Sequence, residues 1–71
     1  MNGVCTNNVR ALRQHNSLTQ KELAEAVGVT RQTIIAIERG NYTPSVALAL
    51  KIARVFDVPC EKIFILDAYE D

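Results

Sequence analysis

Tryptophan is absent from this chain, methionine occurs once, and Tyr and Phe supply two residues each, so a core must be built from Ile, Leu, Val and Ala. Three glycines and two prolines are too few for a collagen-like or low-complexity chain. Cysteine is scarce too. Cys5 and Cys60 stand 55 positions apart, which fits no CxxC or zinc spacing and is too little for a disulfide scaffold. They read as two packed thiols, with an oxidation-formed bridge between them as the alternative. The single His15 has no Cys or acidic pair at ligand spacing and is read as a surface residue, so no metal is expected. No glycine-rich phosphate loop and no GxSxG turn occurs, which removes the usual enzyme signatures; no cofactor and no small-molecule substrate is expected. No apolar run approaches the roughly 18–20 residues of a membrane helix, and Met1 to Asn8 lacks the basic start and apolar stretch of a signal peptide, so no membrane partner and a cytoplasmic location are expected. Net charge is also missing. Eight Lys plus Arg balance eight Asp plus Glu, and the total offers no electrostatic pull toward nucleic acid.

What remains is 71 residues with 48% hydrophobic and 23% charged side chains, the composition of one small globular domain over residues 1–71. Turn residues punctuate it into short helices. Asn7 or Asn8 can cap a first helix through His15, with Val9 and Leu12 on one face. Thr19, with Glu22 three residues on, has the spacing of a capping box, so a second helix starts near Gln20 and ends at Gly28. Thr30 caps a third helix, Arg31 to Arg39, with Ile34 and Ile37 facing inward, and Gly40 stops it. Pro44 pushes Thr43 out of helical geometry, and Ser45 caps a fourth helix to about Phe56. At 100° per residue, the apolar side chains of this fourth helix cover an arc about 220° wide, more than the roughly 100° one core requires. It is either the central helix of the domain or shared with a second copy. Pro59 suits the start of a last short helix to about Phe64. The run Phe64-Ile65-Leu66 is too short for another helix and leaves a short terminal strand pairing open, ahead of the acidic Asp67 to Asp71.

The helix pair from Gln20 to Ile37 is the informative motif. Ala24 is small where two helices cross, Gly28 stands at the turn, and Ile34 and Ile37 follow at the spacing of a DNA-binding helix-turn-helix. The segments Leu18-Thr19-Gln20, Glu22-Leu23-Ala24, Gly28 to Ile34, Ile37-Glu38-Arg39-Gly40 and Pro44-Ser45 resemble the Xre-type regulators, the class of lambda Cro and the phage repressors. With Lys51-Ile52-Ala53 and Ile63-Phe64 included, the resemblance covers about residues 8 to 66. It implies an all-α, five-helix lambda-repressor-like domain, with the helix-turn-helix at about 19–39 and a dimerisation region at about 46–69. The implied function is sequence-specific binding of double-stranded DNA by a homodimer, acting as a repressor. An antitoxin-like protein-binding module using the same domain for autoregulation is the alternative; a long apolar tail would favour it, and none is present.

Transferred residue by residue, the resemblance assigns base reading to Arg31 and Gln32, and Ile35 and Ala36, one turn further along the helix, are added as base-reading candidates. Arginine can take guanine O6 and N7 together, and glutamine adenine N6 and N7; a phosphate contact is the rival reading for Arg31. Ile35 departs from the small polar residue usual in the class, and it lies about 100° from Ile34 and about 160° from Ile37 round the helix, which points it largely outward. It can pack on a thymine methyl, or be partly buried against Tyr42 or the first helix. Phosphate contacts fall to Gln20, Thr30, Thr33, Arg39, Asn41 and Tyr42, although the Thr30 hydroxyl can serve its helix alone and Tyr42 can pack over the loop. Arg13 and Glu38 form a structural ion pair joining the first and third helices. Residues 1–42 carry five cations and three anions, a net of +2, and residues 43–71 three cations and five anions, a net of −2. The basic half would read DNA, and the acidic half would assemble through Leu48, Ile52, Val55, Val58, Ile63, Phe64, Ile65 and Leu66.

Overall fold

In the computed structural model, which describes residues 4–67 without the side chains of Val4, Cys5 and Asp67, strand β1 (Val4–Asn7) leads into helix α1 (Val9–His15). Helices α2 (Gln20–Val27), α3 (Arg31–Glu38), α4 (Val46–Phe56) and α5 (Cys60–Ile63) follow, and strand β2 (Phe64–Asp67) closes the described chain. Hydroxyl groups set three of the helix starts. The Thr19 hydroxyl accepts the Glu22 N–H at 3.0 Å while the Glu22 carboxylate accepts the Thr19 N–H at 2.8 Å, a complete capping box. Thr30 and Ser45 likewise accept from Thr33 and Leu48. Helix α1 is begun differently: Asn7 Oδ1 accepts the Val9 N–H at 3.1 Å, and the side chain of Asn8 makes no cap bond.

The first four helices end alike. Ser17, Gly28, Gly40 and Asp57 lie in the left-handed region at φ 58°, 77°, 79° and 54°. The following N–H folds back onto the last turn in each case: Leu18 to Arg13, Val29 to Ala24, Asn41 to Ala36 and Val58 to Ala53, at 2.9–3.2 Å. Glycine marks two of these ends in advance, whereas Ser17 and Asp57 hold a conformation in which a Cβ is strained. Ser17→Gly and Asp57→Gly are each expected to raise stability by about 1 kcal/mol or less. Urea midpoints check this, and an unchanged or lower midpoint contradicts it.

The core is aliphatic. Val9, Leu23, Ile34, Ile37, Ile52 and Ile63 are fully buried, with Val27, Leu48 and Phe56 nearly so. On α4, Leu48, Ala49, Ile52, Ala53 and Phe56 turn inward, and Val46, Leu50 and Val55 on the flanks of the apolar arc remain exposed. Helix α4 is therefore the central helix, with apolar margins to spare. This corrects the expected assembly surface. Leu48, Ile52 and Ile63 are sealed in the chain's own core, and Val58 and Phe64 are half buried against it. Val55, Ile65 and Leu66 stay accessible, joined by Val46 and Leu50, which the sequence reading did not include. Periodicity finds an apolar face but not how much of it the same chain covers.

The strand at Phe64 finds its partner at the other end of the chain. β1 and β2 pair antiparallel, Cys5 opposite Leu66, Thr6 opposite Ile65 and Asn7 opposite Phe64. Cys60 is a free, half-buried thiol; the Cys5 thiol, and with it the alternative of a bridge, lies outside the described residues, as does the acidic stretch 68–71.

Candidate nucleic-acid interface

Helices α2 and α3 pack through Ala24, Val27, Ile34 and Ile37, all buried, across the turn at Gly28. A Cβ at Gly28 would meet no atom within 4 Å, so glycine is required there by its φ of +77° and not by space. Burial of Ile34 and Ile37 rotates the other side of α3 outward. Arg31 and Gln32, its first two residues, are exposed, and neither side chain makes a hydrogen bond or ion pair among the described residues. Thr33, Ile35 and Ala36 are half buried, so Ile35 is less outward than its helical angle implies. Arg39 is exposed at the end of the helix.

Gln32, Thr33 and Ala36 come together with Asn41 and Tyr42 around a shallow depression of about 330 Å³. The turn places the loop there, because the Asn41 N–H donates to the Ala36 carbonyl at 2.9 Å. Tyr42 remains 46% exposed, which leaves its ring available beside α3. Two larger depressions, about 480 and 460 Å³, flank Arg54 on α4 and include none of these residues. The Thr30 hydroxyl serves its helix, accepting the Thr33 N–H at 3.3 Å, and lies 3.1 Å from the Thr33 hydroxyl. Only one of the two hydroxyl protons is used in that contact, whichever group donates, and the other is left for a further acceptor.

Arg13 is tied to Glu38 by two hydrogen bonds, Nε to Oε2 at 2.6 Å and Nη2 to Oε1 at 3.3 Å, and Nη1 donates to the Leu18 carbonyl at 2.8 Å. The two side chains are only 12% and 5% exposed. Gln20 joins this group, a connection that sequence spacing did not indicate: its Nε2 donates to Glu38 Oε1 at 3.2 Å. The first residue of α2 is thus held against the last residue of α3, while α1 braces both. Among the described residues a second Gln20 amide N–H has no partner, nor do the backbone N–H groups of Gln20 and Lys21 in the first turn of α2. Such an array of donors at the positive end of a helix suits a phosphate oxygen.

The surface therefore offers a guanidinium and an amide at the start of one helix and phosphate-type donors at the start of the helix before it. The helix-turn-helix family model HTH_3 matches residues 9–63. An HTH-type transcriptional regulator of Methanocaldococcus jannaschii is 54% identical over 65 residues, covering 92% of this chain and 94% of the relative. The cryptic phage CTXphi transcriptional repressor RstR of Vibrio cholerae is 33% identical over 55 residues, covering 78% of this chain and 50% of that protein. The crystal structure of the restriction-modification controller protein C.AhdI from Aeromonas hydrophila superposes with a TM-score of 0.72 at 31% identity, covering 78% of this chain and 83% of that one. With its motif geometry, its relatives and a family match over most of its length in agreement, the chain belongs to the HTH_3 helix-turn-helix family, the Xre-like DNA-binding regulators of transcription, and not to a family of enzymes.

Proposed function

We propose that the chain is a repressor that binds a pseudo-palindromic operator as a homodimer, with α3 of each copy in the major groove. The observation that carries this reading is the pair Arg31 and Gln32 at the N-terminal end of α3, with exposed side chains that have no partner among the described residues. In helix-turn-helix proteins that end reaches the base edges. Arg31 and Gln32 read bases, with Ile35 and Ala36 offering apolar contact to a thymine methyl through their exposed portions. Gln20, Thr30, Thr33, Arg39, Asn41 and Tyr42 hold phosphates and set the register. Naming of one relative as a phage repressor supports the sign of regulation.

Assembly uses the apolar surface that the core leaves over, Val55, Ile65 and Leu66 of the original set, with Leu50 added. Two copies related by a twofold axis would place their reading helices about 34 Å apart, one turn of B-DNA. Selection from random duplexes with the purified chain is expected to enrich an inverted repeat with half-sites about 10 base pairs apart. Sedimentation is expected to show a dimer at micromolar concentration. Leu66→Asp should weaken that dimer at least about tenfold without unfolding the chain, because Leu66 is 74% exposed. A monomer that binds a full site one to one would overturn the dimeric reading.

A further inference from the structure

Asn7 is engaged in a way its place in a short strand does not require. Its side chain reaches across thirty residues, and Nδ2 donates to the Ile37 carbonyl at 2.9 Å. Its Oδ1 accepts the Val9 N–H at 3.1 Å. The two bonds fix the orientation of the amide, since only nitrogen can serve the carbonyl and only oxygen the N–H. The neighbouring residue is bound as firmly to the far end of the chain: the Asn8 N–H donates to the Ile63 carbonyl at 2.9 Å and Asn8 Nδ2 to the Lys62 carbonyl at 3.1 Å. One dipeptide thus joins the two-stranded ribbon, the start of α1, the end of α5 and the last turn of α3.

Ile37 stands in that last turn, where carbonyl groups lack helical partners. Its carbonyl also accepts the Gly40 N–H at 3.0 Å, one of the two bonds of the turn that brings Asn41 and Tyr42 beside Ala36. The grip of Asn7 therefore falls on the hinge between α3 and its following loop. We propose that Asn7 is a positioning residue for DNA recognition: through the Ile37 carbonyl it sets the C-terminal end of α3 and the Asn41–Tyr42 loop relative to the ribbon that bears Ile65 and Leu66. This deepens the reading of α3 as the DNA-reading helix and rests on it.

Asn7→Asp is the informative change. It retains an oxygen for the Val9 N–H and turns a carboxylate oxygen toward the Ile37 carbonyl, so acceptor faces acceptor. Ile52→Val, in the core on α4 and with no part in the Asn7 and Asn8 bonds, serves as a control for mild destabilisation. Both proteins are compared with the unaltered chain well below their melting temperatures. For Asn7→Asp we expect an unchanged dimer, about tenfold weaker binding to the selected duplex, little change on random duplex, and faster amide hydrogen exchange at Gly40 and Asn41. Ile52→Val should match the unaltered chain in all four. Equal affinities for the two variants, with unaltered exchange at Gly40 and Asn41, would overturn the proposal. Should the unaltered chain prefer no duplex at all, the DNA-reading assignment fails instead, and exchange at Gly40 and Asn41 decides the mechanical link separately.

Discussion

Replacing Glu38 with alanine is expected to destabilise the domain by about 3–5 kcal/mol, the usual consequence of leaving one member of a buried ion pair without its partner. The whole stability of a chain this size is on the order of 4–10 kcal/mol, so much of it would be lost. The cause is local. The Arg13 guanidinium is 12% exposed and spends two of its bonds on Glu38 and one on the Leu18 carbonyl. Without the carboxylate, a buried cation keeps one neutral acceptor, and Gln20 loses the Glu38 oxygen to which its side chain donates. Arg13→Met together with Glu38→Leu should recover most of the loss, because apolar groups of similar volume require neither desolvation nor pairing. Urea midpoints of the single and double variants measure this, and single variants within 1 kcal/mol of the unaltered chain would show the pair to be effectively solvated.

The double variant Arg31→Ala, Gln32→Ala is expected to keep its stability within about 0.5 kcal/mol, as both side chains are exposed and make no bond among the described residues. Its sequence preference should nearly vanish. A bidentate contact to a base is worth about 1–3 kcal/mol, so loss of two lowers discrimination by about a hundredfold or more. Adjacent positions share partners, so the two losses need not add. Salt dependence separates the two readings of Arg31: if it touches a phosphate, Arg31→Ala lowers the slope of log affinity against log salt by about one, whereas a base contact relaxes specificity at one position. Selection with the double variant yielding the same enriched duplex would remove base reading from this end of α3.

Much of the helical layout was legible because each boundary has a local chemical cause. The capping box at Thr19 and Glu22, the hydroxyls of Thr30 and Ser45, and the glycines at 28 and 40 act on backbone groups only a few residues away. Ser17 and Asp57 do the same work as the glycines but were invisible, since nothing in either residue type announces a positive φ. Motif spacing also puts Arg31 and Gln32 at the start of α3, where the structure has both exposed. The sequence points Gln20 to phosphate alone; its bond to Glu38 is not visible there, because helical spacing carries no information about partners 18 residues away.

The balanced total charge conceals a mildly basic half containing α2 and α3 and a mildly acidic half containing α4, α5 and β2. That division, the helix starts and the inward faces of Ile34 and Ile37 follow from residue type and spacing, because capping and amphipathicity act over one or two turns. Contacts between distant segments do not. Leu48, Ile52 and Ile63 look like an assembly surface in one dimension and are core in three, since the rest of the chain covers them. The pairing of Val4–Asn7 with Phe64–Asp67 and the reach of Asn7 to Ile37 exist only once packing has brought both ends of the chain to α3. A four-residue strand has no stability alone, and a side-chain amide can find a carbonyl thirty residues away only after the core has closed.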